Sequence, residues 1–443
     1  MTQAALRAHM RPDARPSSQD ALDRVIRAAW ERPFYREHWR AHLGVTRCEQ
    51  VLALVREGRM NELPVVRKSH LRDGRHDLLS YPGAVEIVSS SGTTGRPVDI
   101  PIVGEEERSQ VARVQRIMRE LGVGPGTRVL QMLSLNDLFS AGPLAWQAAK
   151  AEGACVIRCT TERAGRVLQV LEHLQPDVVV GNPIALIRLA ETLADAWPAP
   201  SALPTRAFLV GAATFDKDLA STPIADRIAG LWGLELWLSS YGASDVGPVA
   251  YECRHHQGLH LHDDIQSVEL IDPRTGAPIE SPDTPGEIVV TALTLPRGFI
   301  QVRYATGDMA AWMRTEPCAC GRTSARLGPI IGRINQHLKV VGQTVFPELL
   351  LDLADRCPGV MRSAVVVRTG RLDDDDVTVL ILPQQGHDPC ETRNQVVAEY
   401  RRHLATAPTV EVAGEADLAA LEASASRHAN NVKVPRFFDL RTK

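Results

Sequence analysis

An α/β fold of two or more domains, organised on a largely parallel sheet, is what this sequence predicts, and three observations carry the prediction. The chain has 443 residues, more than one ordinary hydrophobic core accommodates. Its composition, 44% apolar and 23% charged, is that of a soluble globular protein. Short apolar runs of strand type alternate with longer stretches of helical spacing, as expected when crossover helices join parallel strands.

Taken in order, Ala21 to His42 form an amphipathic helical stretch containing Pro33-Phe34-Tyr35-Arg36, and Leu63-Pro64-Val65-Val66-Arg67-Lys68 follows. Val85-Glu86-Ile87-Val88 reads as a strand. Glu105 to Leu121 sets Val111, Val114, Ile117 and Met118 at helical spacing. Arg128 to Leu133 is strand-like, Gly142 to Glu152 an apolar helix carrying Trp146, Ala154 to Ile157 a second strand and Arg163 to Leu174 a helix. Asp177 to Val180 and Ala207 to Val210 are strands of buried type, with a helix from Ile184 to Trp197 between them. Asp272 to Gly286, rich in Gly, Pro and Asp, is a hairpin turn region leading into Glu287 to Val290. The acidic run Asp373 to Asp376 is expected to be a solvated turn between Ala364-Val365-Val366-Val367 and Val377-Thr378-Val379-Leu380. No repeat or low-complexity tract interrupts the pattern.

A net charge of −3 gives no global reason to expect nucleic acid or an anionic membrane as partner. Met1 to Asp20 carries basic residues without an apolar core, so no secretory signal is expected. No segment approaches the length of a membrane-spanning helix. Eight cysteines in a chain of this length are not a disulfide framework, and a reducing cytoplasm is the expected compartment.

Chemistry concentrates in Ser89-Ser90-Ser91-Gly92-Thr93-Thr94-Gly95-Arg96-Pro97, directly after the strand at Val85 to Val88. Glycine lets the backbone turn sharply so that successive N–H groups converge on phosphate oxygens. The hydroxyls add donors, and Arg96 can pair with two oxygens at once. No Gly-Lys-Ser/Thr follows, so the run is not a Walker loop; alone, it is equally a polar surface loop. Four constellations follow it: Ser240-Tyr241-Gly242-Ala243-Ser244-Asp245 after Glu235-Leu236-Trp237-Leu238, Arg303-Tyr304-Ala305-Thr306-Gly307-Asp308, Gly332-Arg333 to Lys339 with Val345-Phe346-Pro347, and Lys433 in Asn431 to Asp439. A carboxylate just past a strand's C-terminal end lies where open α/β sheets bind ligands. Taken singly, each is equally a turn or a surface ion pair. Their shared order is the stronger signal.

That order resembles the adenylate-forming superfamily and, within it, the phenylacetate–CoA ligase family, over almost the whole chain. The Pro-Phe-Tyr and Leu-Pro…Lys segments, Ser-Ser-Gly-Thr-Thr-Gly, Tyr-Gly-x-Ser-acid, Arg-Tyr-x-Thr-Gly-Asp, Gly-Arg and Val-Phe-Pro carry it. The resemblance implies a large layered α/β N-terminal domain, residues 1–333, and a small mobile α+β C-terminal domain, residues 334–443. It implies that ATP and a carboxylic acid give an acyl-adenylate and pyrophosphate, and that a thiol, usually of coenzyme A, displaces AMP. Some relatives instead pass the acyl group to a carrier protein or an amine. A nucleotide-binding homologue that has lost catalysis is the other reading. A homodimer is left open.

By the same resemblance, Ser90, Ser91, Gly92, Thr93, Thr94, Gly95 and Arg96 hold the outgoing phosphates. Asp308 holds the ribose beside Arg333, and Gly211, Ala212, Ala213, Tyr241 and Gly242, with Ser244, frame the nucleotide. Asp245 sits at the magnesium, and Lys433 contacts the reacting carboxylate and α-phosphate. The chain departs from the family at Arg96, commonly lysine; at Asp245, commonly glutamate; at Ala213, often an acid; and at Gln336, commonly aspartate. The acid's pocket is implied along Leu133 to Trp146 and near Gly181-Asn182-Pro183. Phe139 and Trp146 suit a flat apolar or aromatic acid, and Asn136, Asp137 and Asn182 are equally polar recognition groups or helix and turn caps.

Cys253 with the histidines up to His260, and Cys318-Ala319-Cys320, put thiols and imidazoles in two short knuckles, the ligand types of a closed tetrahedral zinc site. The spacing is not that of a zinc finger, and the residues alone leave the matter level. Relatives with a cysteine–histidine–Cys-x-Cys site at matching positions imply a structural zinc on Cys253, His260, Cys318 and Cys320. His255 and His256 are alternates or solvated. Cys48, Cys155, Cys159, Cys357 and Cys390 read as ordinary thiols.

Overall fold

The computed structural model describes residues 18–72, 78–90, 97–313, 317–336, 338–340, 343–345, 347–370, 375–404, 407–426 and 436–441. The expected helical stretch Ala21 to His42 is two helices, α1 (Ser18–Trp30) and α2 (Pro33–Leu43), followed by α3 (Cys48–Arg56). Pro33 has no N–H to continue α1, and it opens α2 at the first turn, where that donor is not needed. Phe34, Tyr35 and Trp39 bury one face of α2, and the Tyr35 hydroxyl donates to the Ile300 carbonyl at 2.6 Å. Strand β1 (Val66–Arg67) pairs in parallel with Tyr304 and Ala305, and α4 (Lys68–Arg72) follows. The Pro-Phe-Tyr and Leu-Pro…Lys segments thus both brace the backbone that leads to Asp308.

A hairpin of β2 (Ala84–Ser89) and β3 (Asp99–Val103) precedes α5 (Gly104–Glu120). The predicted alternation then appears: β4 (Arg128–Gln131), α6 (Ala141–Ala151), β5 (Cys155–Arg158), α7 (Ala164–Leu174), β6 (Val178–Gly181), α8 (Pro183–Leu193), β7 (Arg206–Leu209), α9 (Pro223–Trp232) and β8 (Leu236–Ala243). Antiparallel strands β9 (Gly247–Glu252) and β10 (Leu259–Leu261) extend the sheet. A second sheet is built from β11 (Gln266–Ile271), β12 (Gly286–Ala292) and β13 (Tyr304–Ala310). Strand β14 (Arg326–Leu327) closes the first sheet and β15 (Gly332–Arg333) pairs with β13.

The first sheet has the order β14-β10-β9-β8-β7-β6-β4-β5. Side chains alternate across it with the period of two that strands impose. Val129, Val178 and Val180 pack with Val114, Ile117, Met118 and Leu144 of α5 and α6. Leu130 and Val179 pack on the other face with Val167, Leu171, Leu186, Ile228 and Trp232 of α7, α8 and α9. This is a layered α/β arrangement with strands apolar on both faces, as parallel sheets require. The chain leaves β4 for β5 on one side and returns to β6 on the other, so a crevice opens at the strand ends between the loops after β4 and β6.

Beyond β15 come the hairpin β16 (Leu338–Val340) and β17 (Gln343–Val345), then α10 (Pro347–Asp355), β18 (Val360–Thr369), β19 (Asp375–Pro383), α11 (Pro389–His403), β20 (Thr409–Val412), α12 (Glu415–Ser426) and β21 (Phe437–Asp439). Their sheet has the order β20-β19-β18-β21. Asp375 and Asp376, expected in a turn, begin β19 and pair with Thr369 and Arg368; Asp373 lies outside the described residues. Among the described residues, the buried apolar clusters stay on one side of residue 333 or the other. Ionic contacts cross: Arg188 pairs with Glu422 at 2.5 Å and Arg356 with Asp216 at 3.2 Å.

Candidate active site

Two carboxylates face each other where the two large sheets meet. Asp245 follows β8 and Asp308 lies in β13, and each accepts from a tyrosine of the opposite sheet. The Tyr241 hydroxyl donates to Asp308 Oδ2 at 2.9 Å, and the Tyr304 hydroxyl donates to Asp245 Oδ2 at 2.5 Å. Each acid also has a cation: Arg333 Nε lies 2.8 Å from Asp308 Oδ1, and Lys68 Nζ lies 3.3 Å from Asp245 Oδ2. Burial, and then the charge of the nearby aspartates, pushes both tyrosine hydroxyls well above their ordinary range, so they remain donors. A carboxylate has about four lone-pair sites, so acceptor capacity remains on both acids.

Backbone contacts gather the remaining segments around this pair. Ser244 Oγ donates to the Ser89 carbonyl at 2.8 Å, the Ser89 N–H donates to the Leu138 carbonyl at 2.8 Å, and Ser90 and Val98 bond to one another. The Ser90 hydroxyl accepts the Val98 N–H at 2.9 Å, pinning the two ends of the Gly-rich loop together. Ser91, Gly92, Thr93, Thr94, Gly95 and Arg96 lie outside the described residues, as does Lys433. Gly211, with φ +95°, and Ala212 and Ala213 form the turn after β7, and the Ala213 carbonyl accepts from the Thr222 hydroxyl. Gly242 is required for a packing reason: a Cβ there would stand 2.8 Å from the Gly247 carbonyl oxygen. The ring of Tyr241 is buried and its hydroxyl is engaged by Asp308.

Asn182 caps α8, accepting from the Ile184 and Ala185 N–H groups, and its amide donates to the Val210 carbonyl. It is a structural strap between two strand ends. Trp146 on α6 has Lys150 and Arg158 over its ring at 5.0 and 5.1 Å. Arg158 belongs to edge strand β5, next to β4. Asn136 and Phe139 do lie in the loop after β4 at the crevice. Asp137 and Leu138 there adopt left-handed φ of 60° and 58°, uncommon for residues with a side chain.

Cys253, His260, Cys318 and Cys320 converge with their ligand atoms all within 4.8 Å of one another. Cys253 and Cys318 sulfurs are 3.6 Å apart, and Cys320 Sγ is 3.4 Å from His260 Nε2. Tetrahedral zinc bond lengths require separations of about 3.8 and about 3.6 Å, so this donor set fits. Ser324 Oγ holds His260 Nδ1 at 3.1 Å, leaving Nε2 toward the thiols. Burial, then Arg322 and Arg326, lowers His260 to about 4, so its ring is neutral. Glu120 at the end of α5 binds Arg322 at 2.7 Å and Arg254 at 3.3 Å, tying both knuckles to one helix. His255 is exposed, and His256 turns to Glu252 at 3.1 Å, so neither belongs to the ligand group.

Three partners escaped sequence reasoning. Lys68 was visible only as part of the Leu-Pro…Lys segment, and its approach to Asp245, 177 positions away, has no local signature. Glu120 falls inside the expected helix Glu105 to Leu121 without a motif of its own, and Glu252 belongs to no segment the sequence singled out.

No family model matches the chain. It is 28% identical to the phenylacetate-coenzyme A ligase of Pseudomonas putida over 91% of this chain and 88% of that protein. It is likewise 28% identical to the phenylacetate-coenzyme A ligase of Thermus thermophilus, over 86% and 84%. The chain is thus similar over most of its length to two phenylacetate-coenzyme A ligases. Its fold agrees with that of 2-hydroxyisobutyryl-CoA ligase in the postadenylation state, with TM-score 0.79, 22% identity, and coverage of 95% of this chain and 88% of that one. The thioesterification state of that ligase gives 0.64 at 22% identity, over 100% and 91%. Among the described residues, no helix is long and apolar enough to cross a membrane.

Proposed function

We propose that this protein, like the phenylacetate-coenzyme A ligases it resembles, activates a carboxylic acid with ATP to an acyl-adenylate and then transfers the acyl group to coenzyme A, releasing pyrophosphate and AMP. The observation that carries the reading is the reciprocal pairing of Tyr241 with Asp308 and Tyr304 with Asp245. It fixes two carboxylates beside the strand ends where the Gly-rich loop is anchored. A carboxylate is a poor electrophile, and esterifying it to AMP creates a good leaving group. The enzyme must hold acid and α-phosphate in line and neutralise charge as pyrophosphate departs.

In this reading Asp308, oriented by Arg333, accepts from the ribose hydroxyls, and Gly211 to Ala213 and Gly242 frame the base. Ser91 to Arg96 contact the phosphates. Asp245, buried and engaged by Tyr304 and Lys68, would help to hold a magnesium ion, which when bound would supply positive charge at the phosphates. Lys433 brings the acid and α-phosphate together. Residues 334–443 act as the small mobile domain. A zinc held by Cys253, His260, Cys318 and Cys320 would cross-link the two knuckles. We favour an aromatic acid, with Phe139 and Leu138 at the crevice, over a long polar one.

Pyrophosphate exchange across a panel of aryl and alkyl acids, followed by thioester formation with coenzyme A, tests the proposal. Exchange with at least one acid and a coenzyme A thioester product are expected. An ATP binder silent across the panel, or one that acylates only amines or a carrier protein, would overturn it.

A further inference from the structure

Glu252 is the last residue of β9 and is wholly buried. Its Oε2 accepts from the Ser239 N–H at 2.8 Å and the Ser239 hydroxyl at 2.6 Å, and the one Thr214 hydroxyl proton is shared between Glu252 Oε2 at 3.0 Å and Ser239 Oγ at 2.9 Å. Its Oε1 meets His256 Nδ1 at 3.1 Å. A buried carboxylate is costly unless its lone pairs are filled. Here they are filled by groups drawn from three separate segments.

Those segments have different duties. Thr214 ends the turn Gly211 to Ala213, whose geometry is further held by Thr222. Ser239 lies in β8, two residues before Tyr241. His256 lies inside the knuckle between Cys253 and His260, with left-handed φ 50° and its N–H bonded to the Cys253 carbonyl at 3.0 Å. The position of His256 therefore depends on the knuckle's fold, and the orientation of Glu252 depends on His256.

We propose that Glu252 is a positioning residue for the nucleotide, carrying the rigidity of the cysteine–histidine knuckle through His256 to the Gly211–Ala213 turn. It touches neither nucleotide nor metal. It acts by removing freedom from a turn whose exposed backbone must meet the base in one geometry, so loss of the carboxylate weakens ATP more than the acid. The knuckle then serves the active site and not only the stability of the fold. This inference rests on the nucleotide reading given above.

The test uses the full-length protein with its metal content measured. ATP binding is followed by calorimetry, and kcat and both KM values by pyrophosphate exchange. Glu252→Gln should raise the ATP Kd and KM about 10-fold, leave kcat and the acid KM within about 2-fold, and retain the parental metal content. Thr214→Val should do the same, and Thr214→Ser, which keeps the hydroxyl, should recover most of the loss. Combining Glu252→Gln with His256→Ala should cost less than the two changes added together, as expected for one connected unit. Parental ATP affinity in Glu252→Gln, or loss of ATP and acid binding in proportion to a lowered melting temperature, overturns the inference. Additive effects of Glu252 and His256 overturn the link to the knuckle. A parental protein that binds no ATP sinks the functional reading and this one with it.

Discussion

Asp245 stands between a tyrosine and a lysine, and its neighbours decide what its replacement does. Asp245→Asn keeps the shape but turns an amide toward Tyr304 or Lys68, both of which want an acceptor. Turnover should fall about 100-fold, the scale of losing one preorganised electrostatic group, while the protein remains folded. Pyrophosphate exchange with a magnesium titration checks this; a normal rate and magnesium response would remove Asp245 from the mechanism. Glu348, at the start of α10, is a second informative residue. Burial outweighs the attraction of Arg333 and pushes its carboxyl from 4.5 up to about 7, and its Oε2 has no hydrogen-bond partner. A raised carboxyl pKa means that the folded state holds the proton more tightly. Its stabilising contribution is therefore complete below about 4.5 and is lost as pH rises through about 7. Glu348→Gln should abolish that loss, on the order of a few kcal/mol. Melting curves of parent and variant from pH 5 to 8 should diverge as pH rises, and parallel curves would refute it.

At the scale of elements, the two knuckles are short loops that bury little apolar surface and are held by thiols, one imidazole and the Glu120 clamp. Without a metal, burial first and then the neighbouring thiols push Cys253 up to about 12, whereas zinc binding stabilises the thiolate. About one zinc per chain is expected by metal analysis. Cys318→Ser, or prolonged chelation, should lower the melting temperature by roughly 5 °C or more, because structural metal binding contributes to folding free energy. Metal-free protein melting where the parent does would exclude a structural zinc. Among the helices, Pro33 and Asn182 show how one residue sets an element boundary: the first lacks a donor, and the second supplies an acceptor to orphan N–H groups.

Across the whole molecule, the described contacts between residues before and after 333 are largely polar. Glu422 accepts from Arg188 on α8 and from Arg362 on β18, while Arg227 donates to the Met361 carbonyl. Such contacts can be exchanged at low cost, unlike a shared apolar core. They suit a small domain that changes orientation between two half-reactions. Lys433 would travel with it. Lys433→Ala should cripple adenylate formation, yet largely spare thioester formation from a supplied acyl-adenylate. Measuring the two half-reactions separately decides the matter. Equal loss in both would signal general damage, and no loss in either would make Lys433 a bystander.

The sequence by itself determined the layered α/β core, the hairpin before Glu287 and the order of the binding segments. Apolar periodicity, proline and glycine act over a few residues and are legible without a fold. It also supplied the four knuckle residues, although three thiols and an imidazole from two separate loops became a candidate ligand group only when β9, β10 and β14 brought them together. Tertiary structure alone decided the rest. Lys68 reaches Asp245, Tyr304 reaches Asp245 and Glu252 joins Thr214 to His256 because sheet register fixes which distant residues face one another. It also made Asn182 a cap, one of two roles open to that residue type, because chemical character does not state direction. A side chain's partner is set by the element it stands on and by what packs across from it, and that information is spread over the whole chain.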